Sequence, residues 1–442
     1  MDTLLNRAAQ RAELAEVYHL RCDTIPVVFR AGALESIDTK QLAGAALRVV
    51  CDGKLGYATT TDLARPEDLV EAAVSGAAFG ESVSLAVPSE TPPANADLMS
   101  GSLDRVTMDD LVDLGERAVS RVTDVAPGTE IGVRVTKTID RIVIENSAGL
   151  RAEEARGGVR LSVELSKASK DDILVLVEEI AARSVADVDL DGLVDRIGRY
   201  LGWSERLVPA PSGEIPVVFT SQGAIAPLLP LVFGCSGRLA LLGMSPLKDR
   251  IGEAAFDSRF SLIDDPTLAA GSSACGFDDE GVRARRTALV SDGVAAGFYY
   301  DLRTAELAET ESTGNGFKGG LLGGANFRNP PSASISNLAV GPGEGTMDDL
   351  IREVGDGLLV DTVLGLGQGN LNSGDFSNNL GVAFRIEGGK VVGRVKNAMI
   401  AGNSYALLKD HLIGIAETPR WVLFGRLHTP AMALSGVSVA AK

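Results

Sequence analysis

Alternation of apolar and polar residues between positions 131 and 165 restricts the fold of this chain more than any other sequence feature. Its clearest part places apolar side chains at every second position, at Val159, Leu161, Val163 and Leu165. Successive side chains of a strand point to opposite faces, so this segment predicts a strand with one buried and one hydrated face. Similar spacing at Ile131, Val133 and Val135, followed by a turn at 146–149, predicts an antiparallel β-meander.

Helical periodicity surrounds the meander. Apolar residues at helical spacing predict four helices, over residues 3–16, 66–79, 109–122 and 189–201. Between the first two helices we predict strands at 17–22 and 25–29 and a hairpin at 45–59. Asp52 and Gly53 supply the hairpin turn, because this residue pair tolerates positive φ.

The second half of the chain has a different pattern. A buried strand is predicted at 215–219, an apolar helix begins near residue 222, and glycine-punctuated strands follow Phe256. We therefore predict an α+β fold class, with antiparallel sheet and helices in the N-terminal half and a β-rich C-terminal half. The predicted domains are residues 1–95, 104–208 and 214–442, with residues 87–103 as a linker and a boundary near 209–213.

Charge limits the classes of partner. Lysine and arginine total 42 and aspartate and glutamate total 59, so the formal net charge is −17. Such a chain is repelled by phosphate backbones and by anionic lipid surfaces, so we expect no nucleic-acid partner and no membrane partner. Apolar runs stay shorter than the roughly 18 residues that a spanning helix requires.

Cysteine usage and the N-terminal composition bear on localisation. The four cysteines, Cys22, Cys51, Cys235 and Cys275, lie far apart and form no CxxC motif. They are typical of reduced, mostly buried thiols. Charges spread through the first residues predict that no secretion signal is present, so the expected localisation is cytoplasmic.

Histidine is too scarce for an obvious metal site. The sequence contains only His19, His411 and His428, and no HExxH motif. No two histidines are close enough to bind a metal from one helical turn. His411 follows a helix-like stretch and is predicted on a solvated face, whereas His19 lies on a predicted strand.

Two glycine patterns resemble functional motifs only superficially. Residues 314–319 fit GxGxxG, but they follow a helix-like stretch and precede more glycine, so a turn-rich loop is favoured over a dinucleotide site. Residues 234–237 do not have the spacing of a nucleophile elbow. Cys235 follows apolar residues that would raise its pKa, so we interpret it as a structural cysteine.

An ordered series of motifs resembles the TldD/PmbA family, whose members were formerly called modulators of DNA gyrase. The series begins at residues 15–18 and 47–58 and continues at 277–282, 286–287, 292–294 and 312–316. The C-terminal part resembles the PmbA branch, also called TldE, at residues 373–377, 381, 386–392 and 400–403. Family-motif or cavity residues implied by this resemblance are Asn315, Gly316, Gly374, Asp375, Phe376, Ser377, Gly402 and Asn403.

The resemblance implies a peptidase built from two similar subunits that enclose an internal cavity. A TldD-type subunit carries HExxxH on a helix, and a later cysteine completes its zinc site. The implied substrates are unfolded or unstructured peptides, including modified peptide antibiotics. This chain departs from that pattern at the degenerate positions Pro230, Leu231 and Cys235, and residues 434–439 lack the cysteine. Proline and leucine side chains can neither bind zinc nor activate water.

Three hypotheses follow for this chain. The first is a metal-less, non-catalytic subunit that pairs with a TldD-type catalytic subunit, so that zinc is expected in the partner and no cofactor in this chain. The second is a homodimeric peptide- or ligand-binding protein without peptidase activity. The third is a subunit of a complex that trims a peptide-like metabolite in a specialised pathway. The glycine-rich segment 314–324 would face the chamber or the dimer interface in the first hypothesis, or form a disordered surface loop.

Overall fold

The structure of the protein is a computed structural model that describes residues 2–92, 103–169, 172–321 and 323–441. Most of the predicted linker at 87–103 therefore lies outside the described residues. The N-terminal strands are β1 (Leu14–Arg30), β2 (Ala33–Ile37), β3 (Lys40–Cys51), β4 (Lys54–Thr60), β5 (Glu130–Asn146), β6 (Arg151–Ser169) and β7 (Asp172–Ala182). The N-terminal helices are α1 (Asp2–Ala9), α2 (Pro66–Ala77), α3 (Met108–Val125) and α4 (Leu190–Ser204).

One antiparallel sheet, here called the N-terminal sheet, contains all of these strands. Its order is β4-β3-β1-β5-β6-β7, with β2 paired to β1. The predicted meander is confirmed, since β5 and β6 pair along their length and β7 extends them. The hairpin turn is confirmed as well, because Asp52 and Gly53 have φ of 48° and 68°.

The first predicted helix is wrong in its length. Helix α1 ends at Ala9, and residues predicted as its last turn belong to β1, which also joins the two predicted strands into one. Pairing explains the difference, because β1 lies between β3 and β5 and buries Ala15 and Val17 on one face. These long-range contacts outweigh the helical propensity of a short segment.

The C-terminal strands are β8 (Gly213–Phe219), β9 (Leu262–Asp264), β10 (Thr287–Ser291), β11 (Val294–Ala295), β12 (Gly316–Phe317), β13 (Ser332–Ala333), β14 (Leu338–Val340), β15 (Gly357–Leu364), β16 (Asp375–Glu387), β17 (Lys390–Val395), β18 (Ala398–Asn403), β19 (Leu412–Ile415), β20 (Arg420–Val422), β21 (Leu427–Thr429) and β22 (Met432–Ala441). The helices are α5 (Ile225–Gly234), α6 (Gly237–Leu241), α7 (Leu302–Leu307), α8 (Met347–Val354) and α9 (Ser404–Asp410).

Five of these strands close into a barrel. The order β15-β8-β22-β18-β16 returns to β15, while β17 pairs with the C-terminal part of β16 and β19 pairs with β22. A second sheet has the order β11-β10-β9-β14-β21-β20. The strand-rich C-terminal half and the α+β fold class are thus confirmed.

The two halves share a hydrophobic core. Alternate residues of β8 and β15 face opposite ways, and Val218 and Leu359 pack with Phe29 and Leu161 of the N-terminal sheet. The other face of the same strands packs against α5. The division at 95/104 and 208/214 stays a prediction. No helix among the described residues is both long and apolar enough to cross a bilayer.

Candidate functional site

Helix α5 contains Pro230 and Leu231 and ends just before Cys235, the three positions that the family resemblance predicts to be a degenerate metal site. The sequence from 225 to 234 contains no charged residue, and nine of the ten helical residues are buried. Such a helix has no hydrated face and must lie inside a core. It lies between the barrel strands and α9, which fixes its orientation.

The three degenerate positions are sealed in this core. The side chain of Leu231 is 0% exposed, and Pro230 is buried beside it. Cys235 follows the helix, is 0% exposed, and donates its backbone N–H to the Leu231 carbonyl oxygen at 2.8 Å. Burial raises the pKa of the Cys235 thiol to about 12, so the thiol stays protonated and is a poor nucleophile.

The donor set at α5 does not fit a zinc ion. Zinc requires about four nitrogen, sulfur or oxygen ligands, and two of these three positions supply only hydrocarbon. The C-terminal segment adds Ser435, whose hydroxyl lies 3.2 Å from Nδ1 of the exposed His411. Within the described residues we find no group of three or more His, Cys, Asp or Glu side chains that could hold a metal.

Six motif residues come together where β16 and β18 pair. Asp375 lies opposite Asn403, Phe376 opposite Gly402, and Ser377 opposite Ala401. The Asn403 side-chain amide donates to the Asp375 carboxylate at 2.8 Å, and its oxygen caps α9 by accepting from two backbone N–H groups. Hydrogen bonds from Asn403 and from the Ser373 hydroxyl lower the pKa of Asp375.

This cluster supports the end of α5. Gly374 has φ of 93° and lies where a Cβ atom would collide with the ring of Tyr405. The Tyr405 hydroxyl in turn lies against Gly234, the last residue of α5, so that neither glycine has room for a side chain. Phe376 is 2% exposed and packs in the same core. The arrangement holds α9 against α5.

Asn315 and Gly316 lie elsewhere, at the start of the glycine-rich segment. The Asn315 amide donates to the Asp264 carboxylate at 2.5 Å and to the Ser334 carbonyl oxygen at 2.9 Å. Gly316 donates its backbone N–H to Asp278 at 2.8 Å. Burial raises the pKa of Asp264 to about 6. Asn315 and Gly316 are therefore buried anchors and not parts of a surface loop.

A buried charged cluster joins the N-terminal sheet to the C-terminal half, and sequence reasoning missed it. Arg48 on β3 donates to Glu16 on β1 at 2.8 Å and to Glu280 at 2.5 Å. All three side chains are 4% exposed or less. We call this group, with Lys318, the ionic junction. Three consecutive acids at 278–280 were its one sequence signal, since buried acids need cationic partners.

Lys318 is the most unusual member of the ionic junction. It is 2% exposed, and its ammonium lies 4.8 Å and 5.1 Å from the ring centroids of Tyr18 and Tyr57. Its Nζ donates to the Tyr57 hydroxyl at 3.4 Å. Burial lowers the pKa of Lys318 to about 8. The two ring faces stabilise the charged form only in part.

Replacing Lys318 with methionine should change how stability depends on pH. Between pH 8 and about 10, the unfolded chain holds a proton on Lys318 that the folded chain has lost. Stability of the wild type relative to the variant therefore rises with pH in this window, by up to about 1.4 kcal/mol per unit, and the lysine is most unfavourable below pH 8. Urea unfolding at pH 7, 8, 9 and 9.5 measures this difference.

Lys409→Met, at an exposed lysine, controls for the loss of one positive charge. Comparing two proteins at each pH also cancels the titration of other groups, such as the buried cysteines. A stability difference between wild type and Lys318→Met that stays constant from pH 7 to 9.5 would contradict the assignment.

Comparisons with known proteins agree with this geometry. The family described as PmbA/TldA metallopeptidase domain 1 matches residues 15–77, and the PmbA/TldA metallopeptidase C-terminal domain matches residues 212–441. A protein of Methanothermobacter thermautotrophicus named Metalloprotease is 24% identical over 424 residues, which cover 93% of this chain and 89% of that protein. A Metalloprotease TldD homolog of Haemophilus influenzae is 26% identical over 309 residues, 64% of this chain and 59% of that protein.

The fold also has a solved counterpart. The crystal structure of TldE from Thermococcus kodakarensis superimposes with a TM-score of 0.90 over 100% of both chains, at 24% sequence identity. The C-terminal family match alone spans more than half of the present sequence. The chain therefore belongs to the PmbA/TldD metallopeptidase family.

Proposed function

We propose that this chain is the non-catalytic, metal-free TldE/PmbA-like subunit of a heterodimeric zinc metallopeptidase of the TldD/TldE type. The observation that carries the proposal is the burial of Pro230, at the position of a zinc ligand, and of Leu231, at the position of the general base, in an apolar core. A hydrolytic zinc site needs an open coordination position and a base beside it. In this chain, positions 230 and 231 contain buried hydrocarbon side chains instead.

The substrates in this proposal are unstructured or small modified peptides. The catalytic zinc resides in a TldD-type partner subunit, and this chain supplies a second wall for the chamber. Relatives named metalloproteases support the reaction class, and the structural likeness to a TldE supports the role of a companion subunit. What this chain contributes is a rigid surface that excludes bulk water and positions the peptide.

Metal content and peptidase activity, measured for this chain alone and mixed with a TldD-type subunit, test the proposal. We expect no bound zinc and no cleavage of an unstructured peptide by this chain alone. The mixture should contain about one zinc per heterodimer and should cleave the peptide. Zinc-dependent cleavage by the pure single chain would refute the proposal.

Two further measurements sharpen this test. Cys235→Ala should leave the zinc content and the peptidase activity of the mixture unchanged, because the Cys235 thiol is buried in the core and, in this proposal, neither binds zinc nor reacts. Light scattering distinguishes a heterodimer from a homodimer. A stable homodimer that binds peptides but does not associate with a TldD-type subunit would favour the binding-protein hypothesis.

A further inference from the structure

A cavity of about 330 Å³ lies on the face of the N-terminal sheet that points away from α3. Its floor is made by alternate residues of two paired strands, Thr136, Thr138 and Asp140 of β5 and Gly158 and Arg160 of β6. Glycines of the segment after Lys318 form the opposite wall, together with Phe424. The cavity therefore lies between the two halves of the chain, next to the ionic junction.

The lining carries an excess of positive charge. Four arginines and two aspartates line the cavity, Arg156, Arg160, Arg183, Arg426, Asp140 and Asp279. Burial raises the pKa of Asp140. The whole chain has a formal net charge of −17, so this local excess runs against the composition. An anionic ligand is attracted here and repelled by most of the remaining surface.

Contacts within the chain neutralise one of these arginines. Arg156 pairs with Glu154 at 2.8 Å and with Asp279 at 3.0 Å, and donates to the Phe277 carbonyl oxygen at 2.5 Å. Its side chain is 12% exposed, so it is committed to structure. The two arginines left for an external anion are Arg160, at the edge of the cavity, and Arg426.

Arg426 is partly buried, and its hydrogen bonds to described residues go to backbone carbonyl oxygens. Its guanidinium donates to the carbonyl oxygens of Gly320 and Leu321 at 2.9 Å and to that of Gly323 at 2.5 Å. Carbonyl oxygens accept hydrogen bonds but do not cancel the charge, and Arg426 forms no ion pair with the described carboxylates. Burial lowers the pKa of Arg426, which shows the desolvation of its charge. A carboxylate from outside would offset this desolvation.

Arg160 presents a more accessible guanidinium at the edge of the cavity. Its side chain is 42% exposed and forms only a long ion pair with Glu179, at 4.0 Å. The guanidinium also lies over the Phe424 ring, 5.4 Å from the centroid, and this contact restrains its position. A planar guanidinium held in this way suits bidentate binding of a carboxylate.

We propose that this cavity is a carboxylate-binding site for an extended peptide, with Arg160 and Arg426 as its cationic groups. The floor from Arg156 to Arg160 spans roughly 13 Å, the length of about four extended residues. The peptide as ligand rests on the proposed function, whereas the carboxylate chemistry rests on the cavity alone. Both the C-terminal carboxylate of a peptide and an acidic side chain supply this group.

Isothermal titration of the isolated chain with three tetrapeptides tests the site. The probes are N-acetyl-tetraalanine with a free C-terminal carboxylate, its C-terminal amide, and the amide with one alanine replaced by glutamate. We expect the free acid to bind about tenfold more tightly than the amide. If the glutamate peptide also binds tightly, the site accepts any carboxylate, and if it binds like the amide, the site selects the C-terminus.

Variants assign the binding to the cavity. Arg160→Gln should reduce the preference for the acid over the amide to that provided by Arg426 alone, and Arg160→Lys should retain more of it. Arg134→Gln is the matched control, because Arg134 is an exposed arginine on the same face of β5 but outside the cavity. The Arg134→Gln variant should bind the free-acid peptide with the affinity of the wild type. Circular dichroism confirms that each variant is folded.

Three results would overturn the site: equal binding of acid and amide, unchanged binding in Arg160→Gln, or no binding of any probe at millimolar concentration. The titration needs neither zinc nor a partner chain, so it fails independently of the proposed function. If the chain binds carboxylates selectively but its mixture with a TldD-type subunit never cleaves peptides, only the heterodimer proposal is refuted. If the mixture cleaves peptides but the isolated chain binds acid and amide equally, only the cavity site is refuted.

Discussion

Replacing Arg48 with methionine is expected to lower the free energy of unfolding by about 3–5 kcal/mol, because it leaves buried acids without their cation. Arg48 is 4% exposed and pairs with Glu16 and Glu280, each 1% exposed. Methionine restores most of the volume of the side chain but none of the charge. Urea unfolding, followed by tryptophan fluorescence and circular dichroism, measures the change.

Arg65→Met provides the matched control. Arg65 also pairs with two acids, Asp62 and Asp68, but its side chain is 70% exposed, so solvent replaces the lost contacts. A second set of variants combines Arg48→Met with glutamine at Glu16 and Glu280, and should recover part of the lost stability. A loss in Arg48→Met no larger than that in Arg65→Met would show that the ionic junction does not hold the two halves together.

The local parts of the fold could be predicted from the sequence. Regular alternation predicted β5 and β6, and Asp52–Gly53 predicted the β3–β4 turn. The helix that begins at Pro66 was also predicted close to its observed limits, because proline favours the first turn and acids follow it. In each case the pattern that supports the prediction lies within the segment itself.

Elements that depend on distant partners could not be predicted in this way. The residues from Leu14 to Glu16 continue β1 because β3 and β5 flank them, and nothing near them in sequence records that pairing. Barrel closure depends on β15 pairing both with β8, more than 130 residues earlier, and with β16. A single sequence shows which segments are apolar but not which segments meet.

The candidate site also has parts that could be predicted from the sequence and parts that could not. Resemblance to a family identified Pro230, Leu231 and Cys235, and the structure places all three in one apolar core. Neither the ionic junction nor the arginine-lined cavity could be recognised from the sequence. Arg160 and Arg426 lie far apart in the chain, and charged residues on strands are usually solvated. Only the packing of the glycine-rich segment over the N-terminal sheet brings them to one cavity.

Leu231→Glu, which introduces the family's glutamate, is expected to destabilise the chain by more than about 4 kcal/mol. Leu231 is 0% exposed, and its neighbours in the core are apolar, so the new carboxylate would have no partner. Burial raises the pKa of such a carboxyl above its unfolded value. The destabilisation is therefore full above the folded pKa and decreases as the pH falls toward the unfolded pKa, so unfolding should be compared at pH 8 and pH 5.

Two control variants separate the effect of burying a charge from the effect of a changed side-chain shape and from the effect of introducing glutamate as such. Leu231→Met keeps the volume and should cost less than about 1.5 kcal/mol. Leu307→Glu adds the same carboxylate at a leucine that is 64% exposed and should change stability by no more than about 0.5 kcal/mol. If Leu231→Glu were as stable as the wild type, position 231 would open onto water, and the sealed core behind the non-catalytic proposal would be wrong. Strong destabilisation would show that the core which the barrel strands and α9 form around Leu231 has no place for a charged side chain.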